Sequence, residues 1–319
     1  MDLRIFTEPQ QGASHSDLLA VARATRDGGF SAFFRSDHVL AMGGRSGLPG
    51  PSESLLNLGA IAAAVPDIRL GTLVTSATFR HPSMTAIAAA QIDDISGGRM
   101  ELGMGTGWYE AEHTAYGMPF GASFGERFDR LTEQLEIITG LWATPIGKTF
   151  DHAGAHYTLA GAPGLPKPVQ TDQQGRPRVP IIIGGGGPKK TPALAARFAD
   201  EFNIGFRDLT ASATQLGRVR QACEVAGRDP GSLIYSTAHP VCVGVDEAEF
   251  ARRAAAIGRE PAEIRATSPF AGTVIEVLDK MSEWAAAGVQ RSYLQVLDLA
   301  DLDHIALLSA EVLPAMRDS

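Results

Sequence analysis

Ile181-Ile182-Ile183-Gly184-Gly185-Gly186-Gly187-Pro188-Lys189-Lys190-Thr191 is a buried strand, a glycine turn and a helix start, in that order. Three isoleucines in a row carry no polar residue to either face of a strand. The four glycines end that strand, and a helical pattern begins at Thr191. Backbone N–H groups left free in the turn, beside the positive end of a helix dipole, make a phosphate cradle, with Lys189 and Lys190 adding charge. A Walker A loop is excluded, because it needs Gly where Lys189 stands. The plainer reading is a flexible turn with solvated lysines.

The same alternation repeats on either side. Strand-like runs fall at residues 3–7, 32–35, 68–76, 100–104, 180–183, 201–204, 233–243 and 292–296. Helical patterns separate them at 17–27, 52–64, 84–95, 126–142, 191–200, 211–226, 247–257, 273–287 and 303–316. The clearest helix carries Phe128, Leu131, Leu135, Ile138 and Trp142 on one stripe, at steps of three and four. Eight strands alternating with helices predict an α/β fold, a (β/α)8 TIM barrel. Such barrels run to about 250 residues, and the surplus fits two excursions, near 144–178 and 258–272, within one domain spanning 1–319. Alternation alone also fits a doubly wound sheet, since parallel strands need crossover helices in both. There is no internal repeat.

Composition narrows the function. The chain has 319 residues, 44% of them hydrophobic and 20% charged, with a net charge of −8. Its pI is near 5.5 and its mean hydropathy −0.01. These values are those of an ordinary globular protein and argue against a basic nucleic-acid-binding or membrane-binding surface. Cys223 and Cys242 form neither a disulfide framework nor a metal-ligand spacing, which fits a reducing, cytoplasmic setting. The N-terminus enters a strand directly, with no secretory pattern, and no apolar stretch is long enough to span a membrane.

In a barrel, chemistry gathers at the C-terminal strand ends. Asp37 and His38 end the second strand, where an imidazole titrating near neutrality can trade protons. Gly103, Gly105 and Gly107 clear one face of the fourth, either for a flat ring or for tight strand packing. Glu110, Glu112 and His113 follow, but too few ligands accompany them to suggest a metal. Most histidines are scattered singles; His239, in the seventh strand, is the other one expected near a site, as is Glu8 at the end of the first.

Several segments, taken in order, resemble the bacterial luciferase-like flavin and deazaflavin oxidoreductase superfamily. They are Phe33-Phe34-Arg35-Ser36-Asp37-His38, Arg69-Leu70-Gly71-Thr72, Phe79-Arg80-His81-Pro82, the run from Ser96 to Trp108, residues 180–188, and Ala195-Ala196-Arg197-Phe198-Ala199-Asp200. The opening ten residues from Leu3 and the Gly-Gly-Gly-Gly-Pro-Lys-Lys turn are most similar to the actinobacterial branch that depends on coenzyme F420, a 5-deazaflavin. The resemblance implies a TIM barrel with the cofactor ring across the strand ends, and a homodimer. It places a bulge with a non-proline cis peptide at Leu73-Val74 or one residue later. It implies ring contacts from Asp37, Leu73, Val74, Thr75, Thr106 and Gly107. Gly185, Gly186 and Gly187 would hold the tail phosphate, helped by Lys189 and Lys190, with Arg207 as a further cation. Sugar-phosphate dehydrogenases of the superfamily carry an acid after the Thr-Gly pair; here that position is Trp108, which suggests an apolar wall to the substrate pocket and disfavours a sugar phosphate.

The expected activity is hydride transfer between F420 and a small organic substrate, with His38 as the catalytic proton carrier and Trp108, Glu8 and His239 around the substrate. Alternatives are an FMN-dependent monooxygenase, a non-catalytic deazaflavin-binding protein, and an unrelated phosphate-ligand barrel. No metal, nucleic-acid or membrane partner is expected.

Overall fold

The computed structural model describes residues 1–317. Eight parallel strands close on themselves: β1 (Asp2–Thr7), β2 (Ala32–Arg35), β3 (Arg69–Ser76), β4 (Met100–Gly105), then, after the antiparallel hairpin β5 (Phe150–Ala153) and β6 (Thr158–Ala162), β7 (Ile181–Gly184), β8 (Glu201–Gly205), β9 (Ile234–Gly244) and, beyond the outlying β10 (Phe270–Thr273), β11 (Arg291–Val296). β1 lies between β11 and β2, and the β8–β9 pairing shuts the ring. The closed ring excludes the doubly wound alternative. Each sequence-predicted strand is present within a residue or two at its ends.

The intervening helices are α1 (His15–Asp27), α2 (Ser54–Ala64), α3 (Pro82–Ser96), α4 (Glu110–Tyr116), α5 (Phe124–Ala143), α6 (Lys190–Phe198), α7 (Leu209–Val225), α8 (Glu247–Ala256), α9 (Pro261–Thr267), α10 (Val274–Ala286), α11 (Leu302–Leu307) and α12 (Leu313–Arg317). Start signals are local. A capping box of Ser14 and Asp17 opens α1, and one of Thr273 and Glu276 opens α10. At α2 the cap is Glu53, one residue beyond the Ser52 that the sequence suggested. The stripe predicted on α5 is buried as read, from Phe128 to Trp142.

Two layers of apolar packing result. One lies between the strands and the helices; a smaller one fills the barrel with Phe6, Phe34, Leu73, Ile182, Ala238 and Tyr293. Below that plug, charged groups cross the barrel: Arg4 pairs with Glu101 at 2.6 Å, Arg69 also pairs with Glu101, and Arg291 joins Asp2 and Glu201.

The excursions carry more order than their composition suggested. The first contains the β5–β6 hairpin, which sits on α5 where Gly140 leaves room for the Phe150 ring: a Cβ there would lie 2.3 Å from it. The second contains α9 and β10, the latter pairing with β9 outside the ring. Neither has the length or periodicity that reveals an element in isolation. Among the described residues no helix is long and apolar enough to cross a membrane.

Candidate active site

The C-terminal ends of the strands surround a cavity of about 660 Å³. Its floor is apolar, from Phe6, Leu73, Val74 and Ala238. β3 is bulged between Thr72 and Thr75, and the bulge turns both Leu73 and Val74 toward the cavity. The Leu73-Val74 peptide is cis, the first of the two positions expected.

Glycines shape the walls. At Gly105 a Cβ would stand 2.9 Å from Val74 Cγ2, and at Gly107, whose φ is +80°, 2.3 Å from Ser76 Oγ. Side chains are excluded at both positions. Gly103 has a different role: a Cβ there would meet the Thr72 carbonyl oxygen at 2.1 Å, so this glycine serves close strand packing. Gly184, Gly185, Gly186 and Gly187 all line the cavity, and Gln215 Nε2 donates to the Gly187 carbonyl at 2.8 Å, fixing the turn.

His38 stands on the opposite rim. Its Nδ1 lies 3.0 Å from Glu112 Oε1, and the same carboxylate accepts the Val39 N–H at 3.1 Å. Glu112 is buried, on α4. A carboxylate accepts from a protonated Nδ1, which leaves Nε2 as the nitrogen open to proton exchange. The His38 ring is held edge-on to Trp108 at 5.5 Å and to Tyr109 at 6.0 Å. Trp108 is 66% exposed and lines the cavity with His38; it is not a core residue. Thr106, Gly107 and Asp37 line it as well. The Asp37 carboxylate is taken up by Arg80, whose Nη2 donates to Oδ1 at 2.9 Å, and Arg80 also pairs with Glu53. Burial works against the Arg80 charge, but Asp37 and Glu53 hold the guanidinium above its ordinary range. Glu8 closes the cavity near His38. Burial pushes its carboxyl up from the usual carboxylate range.

Four predicted site residues are not brought to this cavity. The Thr75 hydroxyl donates to Thr72 Oγ1 at 3.0 Å and is buried between strands. Lys189 and Lys190 follow the glycine turn but face solvent, and Lys190 pairs with Asp129 at 3.0 Å. His239 alternates with the cavity-facing Ala238 and so points to the helix layer, with Phe270 at 5.3 Å and Trp284 at 4.8 Å. Burial pushes its imidazole down to about 4, and its Nε2 has no hydrogen-bond partner among the described residues.

The cation that does line the cavity at the glycine turn is Arg207, 3.3 Å from where a Cβ on Gly186 would stand. Glu112 was visible in the sequence only as part of a Glu-x-Glu-His cluster. The fold separates that cluster: Glu112 turns to His38, whereas His113 Nδ1 lies 2.9 Å from the Tyr109 carbonyl and its Nε2 meets Thr78. Among the described residues no group of His, Cys, Asp and Glu is arranged to hold a metal ion.

The residues present fit a flat ring with an anionic end. The floor is apolar, the glycine walls admit a close approach, and one guanidinium stands by the turn that precedes α6. The opposite rim carries an imidazole in a fixed orientation.

The chain is similar in sequence and fold to known proteins. The chain is 33% identical over 207 residues, 63% of its length, to the pyrimidine monooxygenase RutA of Escherichia coli K12, and spans about half the length of the curated relatives it matches. Its fold is that of an F420-dependent secondary alcohol dehydrogenase solved with an F420-acetone adduct, with a TM-score of 0.81, 19% identity and 99% of both chains covered. It is equally that of the EDTA monooxygenase of Chelativorans sp. BNC1, with a TM-score of 0.79, 19% identity and coverage of 100% and 94%. The sequence model of the luciferase-like monooxygenases matches residues 1–307, and the chain belongs to that family.

Proposed function

We propose that this protein is an oxidoreductase that moves a hydride between coenzyme F420 and a small organic substrate, with His38 carrying the coupled proton. The observation that carries this reading is the pairing of His38 with the buried Glu112 across one cavity from the Gly184–Gly187 turn and Arg207. Bound there, a deazaflavin supplies a ring carbon that accepts or donates the hydride. Leu73 and Val74 offer that ring an apolar wall. The glycine turn and Arg207 offer a phosphate N–H donors and a positive charge. Glu112 keeps the proton on His38 Nδ1, so that Nε2 takes or gives the proton at the substrate oxygen. Trp108 stands edge-on to the His38 ring at 5.5 Å.

F420 is favoured by the resemblance to the F420-dependent branch and by the end-to-end likeness to an F420-dependent alcohol dehydrogenase. A specific observation favours the second reading, an FMN-dependent monooxygenase. The two lysines expected to meet a long anionic tail face solvent, and among the described residues Arg207 is the one Lys or Arg side chain that lines the cavity, which matches a single phosphate. The same fold is also found in a Baeyer-Villiger monooxygenase component solved with FMN, with a TM-score of 0.72. Titration of the purified protein with each compound, followed by fluorescence, separates the two. The expected result is tighter binding of F420. Tight FMN binding with no F420 binding overturns the proposal and moves the protein to the oxygen-using reading.

A further inference from the structure

A second cavity, of about 880 Å³, opens beside the first and shares two wall residues with it, Glu8 and Phe206. Phe206 follows β8, is 56% exposed, and holds a left-handed backbone with φ +58°. A bulky side chain adopts that conformation at a cost, so neighbouring structure must enforce it. On the far side, Arg45 donates to the Ile257 carbonyl at 3.3 Å, linking the loop after β2 to the segment after α8.

The two cavities place their charges differently. In the first, Asp37 is held by Arg80 and Glu112 by His38, on the rim across from the glycine turn, and at the turn itself the charged side chain is Arg207. The second is lined by the carboxyl groups of Glu8, Asp17, Glu263 and Asp298 against the guanidiniums of Arg45 and Arg259. Arg259 is paired with Glu263, and Arg45 is engaged with Ile257. The wall thus sets four carboxyl groups against two guanidiniums, one of them already paired. An anionic cofactor end is therefore favoured at the glycine turn of the first cavity over the carboxyl-rich second cavity. What the second cavity offers is hydrogen bonding: Gln295 is buried in its wall, Gln11 is held by the Met42 N–H at 3.1 Å, and both face the Glu8 carboxyl.

We propose that the second cavity binds the body of the substrate, that the substrate passes between Glu8 and Phe206 to reach His38, and that it is a compact polar molecule, neutral or cationic. The proposal rests on the first cavity being the ring site.

Three probes with one carbon skeleton test it: glucitol, glucamine and gluconate, which end in a hydroxyl, an ammonium and a carboxylate. Binding to the protein alone is read by saturation-transfer NMR, and F420 affinity is read separately by fluorescence. Glucitol and glucamine are expected to bind about tenfold or more tighter than gluconate, the scale of one added like-charge contact near a surface. Met42→Trp, which intrudes on the second cavity, is expected to weaken probe binding about tenfold or more and leave F420 affinity unchanged. Should that variant not fold, Ala300→Phe narrows the same cavity from an exposed position. Gluconate binding equal to the others, no probe binding at all, or probe affinity unchanged in both variants overturns the proposal. Loss of F420 binding by the wild-type protein overturns the cofactor reading instead, and the probe result is read independently of it.

Discussion

His38 and Glu112 are 74 residues apart in sequence and 3.0 Å apart in space. The pair makes the imidazole usable, because a hydrogen bond at one ring nitrogen fixes the tautomer and orients the other nitrogen for proton exchange. Replacing His38 with Ala is expected to lower turnover by about 10²–10⁴-fold, the usual contribution of a positioned acid–base group. F420 affinity should change far less. Glu112→Leu leaves His38 Nδ1 and the Val39 N–H without their partner, so its turnover should fall between those of wild type and His38→Ala, in kcat more than in KM. Glu112→Gln keeps an acceptor oxygen and should recover much of the loss. Steady-state reoxidation of reduced cofactor by a panel of small carbonyl compounds measures all three. Full activity in Glu112→Leu would reduce the pair to a structural contact.

The turn between β7 and α6 is the element in which charge and backbone act together. Its lysines lie beyond the cavity, whereas Arg207 comes from the end of the neighbouring strand. The expected order follows. Arg207→Ala should weaken cofactor binding, and the Lys189→Ala, Lys190→Ala pair should leave it nearly unchanged, because solvent-exposed cations contribute little. Gly186 is the position at which a carboxylate can be introduced with little backbone cost. Its φ is not left-handed, and the atom nearest a new Cβ is the flexible Arg207 guanidinium at 3.3 Å. Gly186→Asp should capture Arg207 and repel a phosphate, lowering affinity for F420 and FMN alike. Fluorescence titration reads this directly; unchanged affinity would remove the turn from the binding site.

Across the barrel, the apolar plug and the site above it stand on the ion network at the base. Burial pushes the Glu101 carboxyl up, but Arg4 and Arg69 outweigh it and hold the group well below its ordinary 4.5. The folded state then binds that proton less readily than the unfolded chain. The contribution to stability is fully present above about pH 4.5 and is lost as the pH falls below it. Glu101→Gln should cost about 3–5 kcal/mol at neutral pH, since it leaves the buried Arg4 short of its partner. It should also flatten the decline of Tm between pH 5 and pH 3. Thermal melts across that range test both; a variant as acid-sensitive as wild type would place the acid lability elsewhere.

The repeated strand–helix alternation was legible because hydrophobic periodicity and glycine stops are local, but the choice of a barrel over a doubly wound sheet was made by the β8–β9 pairing that closes the ring. The position of His38 at a strand end and the glycine turn after β7 were legible for the same reason. The β5–β6 hairpin, α9 and β10 were not, since short segments are ordered by what they pack on, as Phe150 is by the space over Gly140. In the site, chain order gave no sign that Glu112 would turn to His38 while His113 turned away. His239 was expected near the site from its place in the seventh strand alone, whereas strand alternation gives the cavity to Ala238. Lys189 and Lys190 were the nearest charges to the turn along the chain, yet Arg207 is the nearer one in space. Local pattern dictates which elements form and which strand ends meet. Which charges pair across a cavity depends on strand register, the bulge in β3 and the path of each loop, and these are set by packing between residues far apart in sequence.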